Sequence, residues 1–295
     1  WYMLTNSQPW DNLKFDVEGV EEVKRKFFGT LYNTYSFFAL YANVDNFRFA
    51  ERDILVNDRP EIDRWIMSLL NSLVREVGKC YEDYDLTRAG RAIQDFVIDN
   101  LSNWYVRQSR KRYWGGDYDH DKIAAYQTLY ACLETVSRLA APIAPFFMDQ
   151  LFRDLNMTTG RHHEESVHLA VFPKHDESLI DKDLEERMDI AQKISSMVHG
   201  LRRKVSIKVR QPLAKIMIPL PDRYFKEKFE AVRDLVLTEI NVKEVEYIED
   251  TAAILVKRIK PNFKTLGPRF GKLMKEISNA ISGLSQKDIA DFESS

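Results

Sequence analysis

The chain has 295 residues, of which 44% are hydrophobic, 12% aromatic and 30% charged, enough apolar mass for real cores and enough charge for a soluble surface. Disorder, collagen-like repeats and a single small module are excluded, and the length predicts about two domains. The net charge of −2 conceals an asymmetry: from Ser196 onward 19 Lys and Arg face 13 Asp and Glu, a balance of +6, which leaves −8 on the first 195 residues; a basic tail on an acidic body points to an anionic partner for the tail.

Along the first 50 residues Val20, Val23, Phe27, Leu31, Thr34, Tyr35, Phe38 and Tyr41 recur at helical spacing, which predicts one long amphipathic helix from about Val20 to Tyr41. A polar break follows from Glu51 to Arg59. Asp58-Arg59-Pro60-Glu61 then reads as an N-cap with proline in the first turn. The helix it opens carries Ile62, Trp65, Ile66, Leu69, Leu70, Leu73, Val74, Val77 and Tyr81 on one stripe. A third helix starts after Asp85-Leu86-Thr87, buries Ile93, Phe96, Val97, Leu101 and Trp104, and stops at Trp114-Gly115-Gly116. A fourth opens near Asp119, carries Ile123, Tyr126, Leu129, Leu133, Val136 and Leu139, and is bent or interrupted by Pro142 and Pro145. Beyond a polar loop from Thr158 to Glu165, a fifth runs from about Asp183 to Val205. Together these predict a helical bundle.

From Val205 the period changes. Lys215–Leu220 and Val242–Ile248 read as strands flanking a helix from about Phe225 to Ile240, with a further short strand at Ala253–Val256 and a helix at about Pro268–Ile281. The fold class is therefore mainly α, a helical bundle followed by a small α/β domain. The expected divisions are 1–57, a linker region with one long helix; 58–205, the bundle; and 206–295, the α/β domain.

The longest apolar runs, Phe37–Ala42 and Leu139–Met148, fall short of the ~18 residues a bilayer requires. Cys80 and Cys132 are the only cysteines and have no CxxC partner, which excludes a disulfide framework and a four-cysteine zinc ribbon and suggests a reducing, cytoplasmic compartment. A start at Trp1 without a basic leader argues for a piece cut from a longer chain.

Catalytic motifs are not found. Gly267-Pro268-Arg269-Phe270-Gly271-Lys272 has one residue too few between its glycines for a phosphate-cradling loop, and Leu273 stands where Ser or Thr would hold magnesium; a helix-starting turn is the simpler reading. There is no GxGxxG, HExxH or GxSxG. His162, His163, His168 and His175 cluster loosely without the partners a metal site needs.

Cations are more informative. Arg107, Arg110, Lys111 and Arg112 follow Trp104-Tyr105 at the end of the third helix, where they complement the helix dipole or reach RNA phosphates. Trp104 itself lies on the apolar stripe and reads as core. In the tail, Arg202, Arg203, Lys204, Lys208, Arg210, Lys257, Arg258, Lys260, Lys264, Arg269, Lys272 and Lys275 form a basic series interleaved with Phe263 and Phe270, which fits either a nucleic-acid surface or a solvated face.

Asp63-Arg64-Trp65-Ile66, Leu101-Ser102-Asn103-Trp104-Tyr105-Val106-Arg107, Ala141-Pro142-Ile143-Ala144-Pro145-Phe146 and Glu165-Ser166-Val167-His168-Leu169 occur in the order found in editing-type class I aminoacyl-tRNA synthetases. Trp1–Leu4 through Gln8–Phe15 resembles the stretch downstream of that family's KMSKS loop, and Lys26–Asn33 resembles its linker helix. Arg210-Gln211-Pro212-Leu213, Asn241-Val242-Lys243 and Asn262–Gly271 are most similar to the C-terminal, anticodon-binding part of the isoleucyl-tRNA synthetases, in the branch shared by eukaryotes and some bacteria. The resemblance covers nearly the whole chain. The cysteine tail that binds zinc in many bacterial members is absent from these residues, and HIGH, KMSKS and editing-domain signatures have no match.

The resemblance implies an intact protein that joins isoleucine to its tRNA with ATP and magnesium, and a piece, inactive alone, that recognises the anticodon stem-loop without cofactor or metal. Its implied partners are isoleucine tRNAs and the catalytic and editing domains of the same chain, with no membrane and a monomeric state. The candidate tRNA contacts, taken from the cations beyond the apolar stripe of the third helix and from the basic tail, are Arg107, Arg110, Lys111, Arg112, Arg202, Arg203, Lys208, Arg210, Lys264, Arg269 and Lys272. The same module of a valyl- or leucyl-tRNA synthetase, and a helical protein-interaction scaffold, remain the alternatives.

Overall fold

The computed structural model describes residues 1–220, 222–248, 259–285 and 288–289. The chain divides into two compact units, residues 1–192 and 193–295. Both parts of the predicted fold class are present: a helical bundle, and a small parallel sheet with helices.

The first unit opens with a one-turn helix, Tyr2–Asn6, and the long helix predicted from the aromatic spacing. That helix, α1, is continuous over residues 17–44, an α-helix Val17–Val23 joined through a π-helical turn Lys24–Phe28 to an α-helix Gly29–Val44. Asp16 caps it, accepting hydrogen bonds from the amides of Glu18 and Gly19, as a short acidic side chain at an N-cap does.

Helix α2, Glu61–Glu82, does not start as the sequence suggests. Asp58 closes a short 3-10 turn, Val56–Asp58, instead of capping the helix. The guanidinium of Arg59 donates to the Ile54 carbonyl and to Thr128 Oγ1, which fixes the polar segment against the bundle. Pro60, extended at ψ 154°, becomes the N-cap residue, and its carbonyl accepts from the amides of Asp63 and Arg64. The Glu61 and Asp63 carboxylates in the first turn supply the negative charge that the helix dipole favours there.

Helix α3 runs over residues 86–114 as predicted, with Asp85 capping through the Arg88 amide at 3.0 Å. Its middle, Phe96–Val106, is π-helical between α-helical ends Leu86–Asp95 and Arg107–Trp114. Asp119 caps α4, His120–Ala140, through the Lys122 amide at 2.9 Å. The proline pair interrupts rather than bends: α4 ends at Ala140, and Pro145 is the first residue of a separate helix α5, Pro145–Thr159, because a first-turn proline forfeits no hydrogen bond. Helix α6 covers Lys182–Lys204.

The core lies where α2, α3 and α4 meet, with α1 packed on α3 and α4 and α5 on α4. Trp65, Ile66, Ile93, Leu101, Leu129 and Val136 are fully or almost fully buried there. Tyr105, Tyr113 and Tyr126 are buried with their hydroxyls bonded, Tyr105 to Asp63 (2.8 Å), Tyr113 to the Ala125 carbonyl (2.9 Å) and Tyr126 to Asp45 (2.6 Å). Burial first, and then the nearby carboxylates Asp63 and Asp45, pushes all three phenols well above the ordinary tyrosine value. The sign follows from proton uptake: the unfolded chain releases these protons near pH 10 while the folded chain retains them. Stability is therefore fully present below about pH 10 and falls above it, by up to about 1.4 kcal/mol per tyrosine for each further pH unit. Urea midpoints measured from neutral to about pH 11 are expected to hold up to about pH 10 and to fall above it.

In the second unit β1, Leu213–Pro219, pairs in parallel with β2, Val242–Ile248, in the register Leu213↔Val242 to Pro219↔Ile248. Parallel pairing demands a crossover. The single helix predicted for it is two, α7 Arg223–Glu230 and α8 Arg233–Ile240. Phe229, Val232, Val236 and Ile240 from this crossover are buried with Ile218 and Val242 of the strands. Helix α9, Phe263–Phe270, begins earlier than expected and contains Pro268; a 3-10 turn Gly271–Leu273 leads into α10, Met274–Ser282. The strand expected at Ala253–Val256 lies outside the described residues.

Candidate nucleic-acid interface

Three of the four cations expected on α3 share an exposed face. Arg107, Arg110 and Lys111 are exposed, and at i, i+3 and i+4 they are neighbours on a helix surface. The next position of that stripe, seven residues from Arg107, is Trp114, whose side chain is 58% exposed. A tryptophan left in solvent within one turn of Arg110 and Lys111 is a site feature that an apolar stripe does not announce, and in the sequence Trp114 serves only as a helix stop. The signal is in the spacing.

Arg112 faces the other way. Its guanidinium grips both oxygens of Asp63 at 2.7 and 2.8 Å and reaches the Asp121 carboxylate and carbonyl, each at 2.9 Å. Asp63 is fully buried, and the Arg112 side chain is 14% exposed. The fork-on-fork geometry is the strong form of this pair. With Tyr105 also donating to Asp63, the carboxylate has its charge and lone pairs satisfied inside the bundle. One face of the α3 C-terminal segment is thus locked by Arg112 and Tyr113, while the opposite face presents the cations.

In the second unit Arg203, Lys208, Arg210, Arg269 and Lys272 are exposed. Arg202 is buried, 3% exposed, and donates to backbone carbonyls. The side chain of Lys264, and Lys257 and Arg258 entirely, lie outside the described residues. The interleaved aromatics are on the surface, Phe263 at 60% and Phe270 at 43% exposure.

The histidine loop does not assemble a cation cage. His162 faces Glu134 at 3.0 Å and His175 faces Glu177 at 3.2 Å, and among the described residues no three His, Cys, Asp or Glu side chains converge as metal ligands. Gly267–Lys272 lies in helix α9 and the turn after it. Amides engaged in helical hydrogen bonds do not form a phosphate cradle, so this segment does not fit a nucleotide. Among the described residues no helix is long and apolar enough to cross a membrane.

Residues 63–218, from the buried aspartate of the Arg112 pair to the far part of β1, match the family described as the anticodon-binding domain of tRNA ligase. The chain belongs to this family. As an anticodon-binding domain it is 61% identical over 293 residues to an isoleucine–tRNA ligase of Bacteroides fragilis, 60% to that of Bacteroides thetaiotaomicron and 42% over 294 residues to that of Clostridium acetobutylicum. In each case 99% of this chain is covered. The chain spans about a quarter of the length of these relatives, 26%, 25% and 27% respectively.

Proposed function

We propose that this chain is the tRNA-recognition part of an isoleucine–tRNA ligase, whose intact form joins isoleucine to its tRNA with ATP and magnesium. The observation that carries the reading is 61% identity to an isoleucine–tRNA ligase maintained over 99% of the chain, together with the anticodon-binding match. The chain covers about a quarter of that relative, and in this reading activation and transfer are carried out by the rest of the intact protein. The intact protein acts as a cytoplasmic monomer.

The work of this part is binding and placement. Arg107, Arg110 and Lys111 hold phosphates of the anticodon stem-loop, which sets register without reading sequence. Unpaired loop bases splay out and are read at their edges or on aromatic faces, and Trp114 supplies such a face one turn beyond the cations. Arg112 acts through Asp63, fixing the helix that carries them. The basic surface of the second unit adds further holds on the phosphates.

Stacking of an unpaired base on an aromatic ring contributes about 1–3 kcal/mol. Trp114→Ala is therefore expected to weaken binding of the anticodon stem-loop by about 5- to 150-fold with no change in salt dependence, and Trp114→Phe to recover most of the loss; filter binding at two salt concentrations measures both. Equal affinities for wild type and Trp114→Ala would remove the tryptophan from the interface.

The reading as a whole is tested by titrating the chain with isoleucine tRNA and valine tRNA at low and moderate salt. Preference for isoleucine tRNA is expected. Equal affinity for both would overturn the isoleucine assignment, and no salt-sensitive binding to either would overturn RNA recognition in favour of a protein-interaction scaffold.

A further inference from the structure

Arg202 is buried in the second unit, and its guanidinium is turned onto the backbone instead of into solvent. One terminal nitrogen, Nη1, donates to the Lys208 carbonyl at 3.1 Å and the Gln211 carbonyl at 3.0 Å. The other, Nη2, donates to the carbonyls of Ile240 at 2.8 Å and Asn241 at 3.1 Å. Its own carbonyl accepts the Ile207 amide at 2.9 Å. That last bond, with Ser206 in the left-handed region at φ 58°, closes α6 in the manner of a Schellman cap. The segment 205–211 is therefore tied to one residue, at Ile207 through the Arg202 main chain and at Lys208 and Gln211 through its buried guanidinium.

A second residue holds the same segment from the far side. Asn241 sits in the left-handed region at φ 52° between α8 and β2, and its side-chain amide donates to the Val209 carbonyl at 2.9 Å. The Asn241 carbonyl, shared with Arg202, also accepts the Leu213 amide that begins β1. Held between these anchors, the segment exposes Lys208 and Arg210, and Arg203 and Lys204 are exposed on the helix end that leads into it.

We infer that Arg202 is a positioning residue for a phosphate-binding turn formed by Arg203, Lys204, Lys208 and Arg210, with Asn241 as its second anchor. The ligand is the RNA backbone, and the inference rests on the tRNA-recognition reading above. Lys208 and Arg210 on an unanchored loop would lose freedom on binding; the guanidinium removes that cost in advance by fixing them beside Arg203 and Lys204 on the helix end. The task needs a planar fork that serves two nitrogens to two pairs of carbonyls, which an ammonium cannot do. Lysine at 202 keeps the charge and loses the fork, so charge and geometry separate.

The test is the salt dependence of isoleucine tRNA binding to the whole chain, compared among Arg202→Lys, Asn241→Gly and a variant with Arg203, Lys208 and Arg210 all changed to Gln. Each phosphate that is no longer neutralised lowers the slope of log affinity against log salt by about 0.7–0.9. The triple variant is expected to lose about 2–3 units of slope. Arg202→Lys is expected to lose more than one unit although it removes no charge, and Asn241→Gly, whose glycine accepts the left-handed backbone, to shift the slope in the same direction. Circular dichroism and the thermal midpoint confirm that each variant is folded.

An unchanged slope in Arg202→Lys and in Asn241→Gly, beside a reduced slope in the triple variant, would overturn the positioning role while leaving tRNA recognition intact. A lowered thermal midpoint with the slope retained would assign Arg202 to stability alone and overturn it equally. No slope change in the triple variant would remove the second unit from the tRNA interface altogether.

Discussion

Replacing Arg112 by leucine is expected to lower the free energy of unfolding by about 3–5 kcal/mol. The cost comes less from the lost attraction than from the carboxylate left behind: Asp63 is fully buried, and loss of the fork at 2.7 and 2.8 Å leaves it the neutral Tyr105 hydroxyl as a donor. A buried charge without a counter-charge is what the interior tolerates least. The urea midpoint, read through the fluorescence of buried Trp65 and Trp104, measures the loss. Changing Asp63 to leucine as well is expected to restore most of it, since replacing both members of a buried pair by apolar groups is often neutral. A loss below about 1 kcal/mol in the single variant would mean that the pair behaves as a surface salt bridge and does not fix α3.

The second large effect is on RNA binding. Changing Arg107, Arg110 and Lys111 together to glutamine is expected to flatten the salt dependence of tRNA binding by about 2–3 units of slope, at about 0.7–0.9 per phosphate, and to weaken binding at low salt by well over tenfold. Fold stability should be retained, because all three side chains are exposed and none supplies the core. The contrast with Arg112→Leu is diagnostic: adjacent residues on one helix, one set of changes acting on affinity and the other on stability. An unchanged slope would exclude this face of α3 from the interface.

The elements and their caps are legible where a short polar side chain precedes an apolar stripe. Asp85 and Asp119 both cap the helices they announce. Asp58 looks equivalent in sequence and is not, because a proline two residues later moves the helix start and Arg59 ties the preceding segment to Ile54 and Thr128. The π-helical stretch of α3 is invisible in the sequence: a helix that widens by one residue per turn still places apolar residues three to five apart, and spacing alone does not distinguish it from an α-helix.

Charge is the less legible property. Arg110, Lys111 and Arg112 are consecutive cations in the sequence, yet two face water and the third sits on a buried aspartate 49 residues away. Arg202 and Arg203 divide in the same way. A guanidinium whose two terminal nitrogens donate to backbone carbonyls leaves no mark in composition or period, since such partners are present at every residue. Trp114, by contrast, is findable, for it lies off the stripe of Leu101 and Trp104 and on the face of Arg107.

The most direct test of the anticodon-recognition role is the affinity of the chain for isoleucine tRNA against the same tRNA altered only in its anticodon, measured at one moderate salt concentration. Recognition through an anticodon-binding bundle predicts tight binding of the first and a loss of tenfold or more for the second, with the remaining affinity salt-dependent. Equal affinity for the two tRNAs would contradict it, leaving the cations of α3 and the second unit as a docking surface that does not read the loop.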